Sequence, residues 1–487
     1  MASTLVINKT DYETRVAVME NGKLAELYIE RDTDDVQVGN IYKGKVIKVL
    51  PGMESAFVDI GTDHAAFLSV SDVRFDKNID IEKKKKKNIS SLLKKNQHIV
   101  VQVLKEAIGT KGPRVTTNVT LSGRHLVLMP TTPGVGVSKK IENSVERDRL
   151  KKILNDLYGI NNYGLIARTV SSGVHTKVLK QDYDFLVRKW NEIMRKKNKE
   201  SLKGLMHTEM DVSLRVLRDV LSGDVKKIII DDKDAKDELV GYLAQHSPGS
   251  KRLVEIYRGK DGIFEHYGVD RELARAMEKR IWLKSGGYII VDYAEAAVVI
   301  DVNTGKYVGS KNLEETVLNT NIEAAKEIAY QLRLQNLGGI IIIDFIDMDK
   351  QPNKEKVLSA LNEELKKDKA KTNVIAISEL GLVEMTRQRT RNSIVKTICQ
   401  PCPFCAGRGY SKSYKTVAYE VFREVEKCFV NEKVKKVVVH LNPDLIAYIS
   451  QNENKLVEQV KKRHGKELFF ELDSKLRHEQ YKVSLGS

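Results

Sequence analysis

Three apolar runs in the middle of the chain decide how it folds: Gly287-Tyr-Ile-Ile-Val-Asp-Tyr, Ala296-Ala-Val-Val-Ile-Asp-Val-Asn-Thr-Gly and Gly338-Gly-Ile-Ile-Ile-Ile-Asp-Phe-Ile-Asp. Short runs rich in Ile and Val predict buried β-strands. The spacing of apolar residues between the second and third runs predicts a long helix. One face of this helix would carry Leu313, Val317, Asn321, Ala324, Ile328 and Leu332. Segment 286–346 therefore predicts a β–β–α–β unit.

Two of these strands end in a carboxylate, Asp301 on the second run and Asp344 on the third. Carboxylates at neighbouring strand ends suit Mg²⁺, which can polarise a phosphodiester and activate water for hydrolysis. Asn303 lies two residues after Asp301 on the same strand face, where it can orient the phosphate or a water on the metal. The alternative is that both acids cap loops or pair with basic residues. Two such acids together with Asn303 in a basic chain favour the metal site.

The composition points to a nucleic-acid partner. The chain has 487 residues, with 82 Lys and Arg against 66 Asp and Glu, a net charge of +16. Such an excess favours nucleic acid over membrane as the partner. Four cysteines exclude a disulfide-rich secreted scaffold, and the N-terminus lacks the pattern of a signal peptide. No apolar run reaches the ~18 residues of a membrane span, so we expect a cytoplasmic protein without a transmembrane segment.

Residues 36–117 predict a small barrel of the oligonucleotide-binding type, because five short β runs separated by glycines fall within them. Phe57 and Phe67 lie on facing strands, where such barrels stack bases. Their spacing equally allows both rings to be barrel core. The run Lys83–Lys87 is either a solvated loop or a contact to the phosphate backbone.

The first 35 residues predict three strands, with a hairpin turn at Asn21-Gly22. Three short strands are too few for an independent core. Two later strands, in 225–230 and 253–257, are expected to join them. The chain would then leave a domain near residue 35 and re-enter it near residue 213.

Cys402-Pro-Phe-Cys405, followed by glycines, is typical of a zinc-binding turn. Structural zinc needs four ligands, and the simplest completion is the same pair from a second chain across a two-fold axis. Cys399 is a weaker candidate ligand, and Cys428 lies in an apolar helical context typical of core. A redox role is disfavoured because no thioredoxin-like βαβ pattern surrounds the pair. The residues beyond 412 predict a small α/β oligomerisation domain, in which Asn442 and Pro443 begin a helix.

The order of these motifs resembles the ribonuclease E/G family over essentially the whole chain. The matching motifs after the barrel are Leu126–Pro130, Gly164–Thr169, Ile300–Gly305, Ile343–Met348, Gly381–Arg389 and Cys402–Gly409. The chain ends soon after the small domain, without the long disordered tail of some members, so it is more similar to the shorter branch of the family.

The resemblance implies an endoribonuclease that cuts single-stranded RNA, in rRNA and tRNA maturation and mRNA decay, and leaves a 5′-phosphate and a 3′-hydroxyl. It implies catalytic Mg²⁺ on Asp301 and Asp344, with Asn303 near the scissile phosphate. It implies an RNA channel at Phe57, Phe67 and Lys111. It also implies a zinc-linked dimer through Cys402 and Cys405, and pairing of such dimers into a tetramer. It also implies a preference for 5′-monophosphorylated RNA, through a pocket formed by Gly123, Val127, Arg168 and Thr169.

The resemblance also implies a multidomain fold of α/β and α+β parts. Residues 1–35 with 213–277 would form an RNase H-like domain, interrupted by the barrel at 36–117 and a 5′-sensor domain at 118–212. A DNase I-like catalytic domain would follow at 278–399, then a zinc link at 400–412 and the small domain at 413–487. Two alternatives remain at this stage: a non-catalytic RNA-binding protein, whose acids are structural, and a DNA nuclease.

Overall fold

A computed structural model describes residues 3–31, 36–74, 88–106, 112–199, 204–221, 225–305, 313–378, 381–389 and 391–486. The chain forms two compact units, Met1–Thr397 and Ile398–Ser487. Within the described residues, no helix combines the length and apolar character needed to cross a membrane.

The first sheet of unit one joins the two ends of a split segment. Its strands are β1 (Ser3–Lys9), β2 (Glu13–Glu20), β3 (Lys23–Arg31), β14 (Val225–Ile230) and β15 (Val254–Ile256). The order is β15-β14-β1-β2-β3, with β1 parallel to β14 and antiparallel to β2. The predicted joining of the two segments is therefore confirmed. The turn between β2 and β3 places Asn21 and Gly22 at positive φ (51° and 79°), as an Asn-Gly hairpin requires.

The second sheet closes into a barrel. Its strands are β4 (Ile41–Leu50), β5 (Ser55–Asp59), β6 (Ala66–Ser69), β7 (His98–Lys105), β8 (Arg114–Thr116) and β13 (Gly204–His207). Five of them follow the order β4-β5-β6-β8-β7, and pairing of β7 with β4 closes the ring, while β13 adds to β4. The predicted five-stranded barrel is confirmed.

A third, four-stranded sheet lies against two long helices. Its strands are β9 (Leu121–Ser122), β10 (Leu126–Met129), β11 (Val135–Val137) and β12 (Gly164–Ala167). The helices of this part are α1 (Ser144–Asn161) and α2 (Thr176–Lys199). Beyond them, the split segment contributes α3 (Val212–Val220), α4 (Lys233–His246), α5 (Ile263–His266) and α6 (Val269–Met277).

The fourth sheet contains the predicted β–β–α–β unit. Its strands are β16 (Arg280–Trp282), β17 (Tyr288–Tyr293), β18 (Ala297–Asn303), β19 (Gly339–Asp344), β20 (Thr372–Ile377) and β21 (Leu382–Arg387). The accompanying helices are α7 (Leu313–Leu334), α8 (Gln351–Leu365) and α9 (Ile394–Ile398). Helices α7 and α8 share one apolar core with the sheet. Leu313, the first residue of α7, is 80% exposed, and the packed part of its helix face begins at Val317.

Unit two is a small α/β fold. Its elements are α10 (Tyr414–Val430), β22 (Lys436–Leu441), α11 (Pro443–Asn452), α12 (Asn454–His464), β23 (Glu467–Leu472) and β24 (Tyr481–Gly486). Asn442 caps α11 by accepting a hydrogen bond from the backbone N–H of Asp444, as predicted. Strand β24 was not predicted, although Tyr481, Val483 and Leu485 alternate with polar residues, which is a strand signal.

Candidate active site

The strand-end acids lie directly opposite one another. Strands β18 and β19 run parallel, and Asp301 pairs with Asp344 in their register. The alternation along β18 buries Ile300 and Val302 against α7 and α8. Asp301, Asn303 and Asp344 therefore share the other face of the sheet, at the carboxyl ends of two neighbouring strands.

Negative charge accumulates at this edge. The side-chain amide of Asn303 donates a 2.6 Å hydrogen bond to Oδ2 of Asp301, which fixes that carboxylate. Desolvation, together with the nearby charges of Asp301 and Asp347, raises the pKa of Asp344. Within the described part of the chain, both charged groups that shift this pKa are acidic. We call Asp301, Asp344 and Asp347 the acidic edge.

A buried side-chain amide holds the loop that follows β19. Asn321 of α7 is fully buried, and its side chain exchanges hydrogen bonds of 2.8 and 3.1 Å with the backbone of Ile346. This contact fixes the loop that carries Asp347. The helical spacing predicts Asn321 on the same face as the apolar residues of α7, but no role was predicted for it. A polar amide among apolar residues is the sequence signal that could have indicated one.

The acidic edge fits a divalent cation in its chemistry. Desolvation and then the neighbouring like charges raise the pKa of Asp344, and a bound cation would relieve the repulsion between the carboxylates. Within the described part of the chain, no group of three or more His, Cys, Asp or Glu is arranged to hold a metal ion. Two paired carboxylates suit Mg²⁺, which usually keeps several waters and is held by one or two carboxylates.

The two barrel phenylalanines form an outer-face pair. Phe57 of β5 pairs with Phe67 of β6, and their rings meet edge to face at 6.1 Å and 72°. Both side chains are half-buried, whereas the alternate residues of the same strands (Ala56, Val58, Ala66 and Leu68) fill the barrel core. The alternative that both rings belong to that core is therefore wrong. Lys111 and the run Lys83–Lys87 lie outside the described residues.

Three of the four predicted 5′-phosphate residues meet at one end of the third sheet. The Arg168 guanidinium donates a 2.8 Å hydrogen bond from Nη1 to the Gly123 carbonyl. Thr169 follows Arg168, and its hydroxyl lies 3.0 Å from that of Ser138. Val127 lies on neighbouring β10, half-buried and paired with Ile166.

A buried carboxylate that no local sequence pattern indicates supports the segment 123–126, which carries Gly123. Asp182 of α2 accepts hydrogen bonds from the backbone N–H groups of Arg124, His125 and Leu126, at 3.3, 2.9 and 2.8 Å. A Cβ at position 123 would lie 2.5 Å from this carboxylate, so Gly123 is required there. Asp182 comes from a helix 56 residues beyond Leu126, so no local pattern points to it.

The two cysteines of the Cys-x-x-Cys turn lie in a tight bend of unit two. Backbone N–H groups, first of all that of Gly409 at 3.3 Å from Sγ, lower the pKa of the Cys405 thiol. The Cys402 side chain also hydrogen-bonds to Cys405, so the two sulfurs lie close together. A thiol that ionises readily suits a zinc ligand. Cys428 packs half-buried against the core of the unit, as predicted, and Cys399 is exposed.

Comparison with family models corrects one expectation. Residues 401–486 match a model described as "RNase E/G, Thioredoxin-like domain". The expectation that no thioredoxin-like pattern surrounds the cysteines was therefore wrong for the domain as a whole. Among the described residues, no strand of unit two precedes the cysteine pair, and α10 begins nine residues after Cys405. The sequence around the pair thus lacked the strand-to-helix context on which recognition would depend.

Comparison with known proteins identifies the family. Residues 120–390 match the model of the ribonuclease E/G family. The chain is 44% identical to ribonuclease G of Haemophilus influenzae and 41% identical to ribonuclease G of Escherichia coli strain K12, with 99% of each chain covered. It is 34% identical to ribonuclease E of Haemophilus influenzae over 95% of this chain and 50% of that protein. The chain therefore belongs to the ribonuclease E/G family of endoribonucleases.

Proposed function

We propose that the chain is a Mg²⁺-dependent endoribonuclease of the ribonuclease G type that cuts single-stranded RNA internally. Its products carry a 5′-phosphate and a 3′-hydroxyl, and its substrates are rRNA and tRNA precursors and mRNA. The observation that carries the proposal is the direct pairing of Asp301 with Asp344 at the carboxyl ends of two parallel strands.

The acidic edge supplies the catalytic residues. Asp301 and Asp344 would hold Mg²⁺, which when bound polarises the scissile phosphodiester and lowers the pKa of an attacking water. Asn303 orients Asp301 through its 2.6 Å hydrogen bond. Asn321 fixes the loop beyond Asp344, so the carboxylates are held in place before the substrate arrives.

The barrel and the third sheet supply further contacts to the substrate. Phe57 and Phe67 offer half-buried ring faces for base stacking, with Lys111 as a phosphate contact. Gly123, Val127, Arg168 and Thr169 form the site for a 5′-monophosphate. An arginine with a neighbouring hydroxyl suits a terminal phosphate, because both donate hydrogen bonds to its oxygens.

The domain assignments and the assembly belong to the same proposal. Residues 1–35 with 213–277 form an RNase H-like domain, residues 36–117 an oligonucleotide-binding barrel, 118–212 a 5′-sensor domain and 278–399 a DNase I-like domain. Residues 400–412 form a zinc link, in which Cys402 and Cys405 of two chains share one ion. The resulting dimers pair into tetramers through 413–487, and zinc analysis should give one ion per two chains.

The test is incubation of the purified chain with a 5′-monophosphorylated, A/U-rich single-stranded RNA in Mg²⁺ or in EDTA. We expect internal cuts in Mg²⁺ alone, slower cutting of the 5′-triphosphorylated RNA, and none of duplex RNA or single-stranded DNA. Tight binding without product in Mg²⁺ would instead support a non-catalytic RNA-binding protein. Cutting of single-stranded DNA at the same rate would support a DNA nuclease.

A further inference from the structure

Arg168 contacts a carboxylate that the proposed function does not use. Its Nη2 lies 2.6 Å from Oδ1 of Asp219, near the end of α3. Helix α3 belongs to the split segment, whereas Arg168 follows β12 of the third sheet. The ion pair therefore joins the 5′-phosphate site to a different part of unit one.

Asp219 is one link in a chain of four alternating charges. The Arg218 guanidinium donates to Asp219 at 3.1 Å and to Glu209 at 3.0 Å, and also to the Ser122 carbonyl at 3.2 Å. The side chains of Arg218 and Glu209 are only 8% and 10% exposed, whereas that of Asp219 is 46% exposed. The Lys189 ammonium also interacts with Glu209 and Arg218 at the far end of this chain. The direct contact with Asp219 therefore offsets part of the positive charge of Arg168 before any phosphate arrives.

The remaining donors of Arg168 are available on the same guanidinium. A guanidinium has five N–H groups, and the described contacts of Arg168, to Gly123 and Asp219, use two of them. A phosphate monoester carries about −1.5 to −2 charges near neutral pH. Bound to the other donors, it would lie a few ångströms from the Asp219 carboxylate, and the two like charges would repel one another.

We propose that Asp219 is a specificity-determining residue of the 5′-phosphate site, where its charge limits how strongly Arg168 favours a 5′-phosphate over a 5′-hydroxyl. The inference rests on the proposed role of Arg168. Asp219 acts through Arg168, and it keeps the guanidinium in place while it weakens the attraction for the phosphate. The preference of the enzyme for one kind of RNA end is therefore set by a competition between two anions for one arginine.

The test is equilibrium binding of 5′-monophosphorylated and 5′-hydroxyl forms of one fluorescent oligoribonucleotide, in EDTA so that no cleavage occurs. Asp219→Asn keeps an oxygen that can accept from Arg168 but removes the charge. We expect the ratio of the two affinities to rise about threefold to tenfold. The ratio should fall to one in Arg168→Gln and stay there in the double variant, because Asp219 acts only through Arg168.

Asp156→Asn is the matched control, since it removes an exposed carboxylate from helix α1 of the same region and should leave the ratio unchanged. Melting curves check that each variant is folded. We expect Asp219→Asn to fold, because the Asp219 side chain is partly exposed. A wild-type ratio of one would overturn the proposed role of Arg168 itself. A wild-type preference that is unchanged or smaller in Asp219→Asn would overturn the role of Asp219 alone.

Discussion

Two clusters of charged residues in unit one show opposite arrangements. The acidic edge combines Asp301, Asp344 and Asp347, and the pKa of Asp344 is raised. In the second cluster, Glu26 of β3 lies among the cations of Arg333, Lys369 and Arg391. Burial alone would raise the pKa of Glu26, but Lys369, the Tyr28 hydroxyl and the two arginines lower it to about 2.

The contacts of the second cluster explain this difference. Glu26 lies 3.2 Å from Lys369 and 3.5 Å from Arg333, and it accepts a 2.5 Å hydrogen bond from the Tyr28 hydroxyl. The Arg391 guanidinium stacks over the Tyr28 ring at 3.8 Å. These residues tie β3 of the first sheet to helix α7 and to the segments next to β20 and β21. Paired charges of opposite sign thus join two parts of the fold, whereas the described charges around Asp344 are all acidic, as the proposed Mg²⁺ site requires.

The largest effect should come from the acidic edge. Asp301→Asn is expected to lower the single-turnover cleavage rate at least about 1,000-fold, because one of the two carboxylates proposed to hold Mg²⁺ is lost. Its melting temperature should be equal to or above that of the wild type, since a repulsive charge has been removed. Cleavage kinetics and thermal melting check both expectations.

Asp292→Asn is the matched control for this variant. Asp292 is an exposed carboxylate on neighbouring β17, so the change of charge is the same while the paired acids stay intact. Similar losses of activity in both variants would contradict the assignment, and so would a marked loss of stability in Asp301→Asn.

A change in the cluster around Glu26 should alter the stability of the fold and not the cleavage rate. Because the pKa of Glu26 is lowered from 4.5 to about 2, ionised Glu26 stabilises the fold above about pH 4.5. This contribution is lost as pH falls from about 4.5 to about 2, and its upper bound is about 3 kcal/mol. Glu26→Gln should lower the melting temperature at pH 7 and flatten its acid dependence. It should leave the cleavage rate per folded molecule unchanged.

The exposed Glu142 provides the control for Glu26. Glu142→Gln should change neither the melting temperature nor its acid dependence. If the melting temperature of Glu26→Gln depended on acid pH as that of the wild type does, the cluster would not stabilise the fold through this carboxylate.

The smallest effect should come from the amide beside Asp301. Asn303→Ala removes the 2.6 Å hydrogen bond that orients the carboxylate but leaves both acids in place. We expect the cleavage rate to fall about tenfold, in line with the loss of about one hydrogen bond to a charged group. A loss as large as that of Asp301→Asn would mean that Asn303 touches the reacting atoms directly. No loss would leave it without a catalytic role.

Local patterns predicted the parts of this molecule whose contacts follow from strand and turn geometry. The acids at 301 and 344 could be predicted to meet because each ends an apolar strand, and the alternation in β5 and β6 places Phe57 beside Phe67. The split sheet could be predicted because three N-terminal strands need further partners.

Contacts between distant side chains could not be predicted in this way. Glu26 meets Lys369 across 343 residues, and Arg168 meets Asp219 across 51. Nothing in the local sequence of either acid indicates its partner, because such pairs form only once separate sheets and helices have packed. The same holds for Asp182, whose carboxylate closes the loop at Gly123.

We expect cleavage to depend on the acidic edge and RNA binding to depend on other surfaces. The Asp344→Asn variant separates the two, when the single-turnover rate in Mg²⁺ and the RNA affinity in EDTA are measured on the same preparation. We predict a rate at least about 1,000-fold below that of the wild type and an affinity within about twofold of it. An unchanged rate, or a rate and an affinity that fall together, would show that the acidic edge has no separate catalytic role.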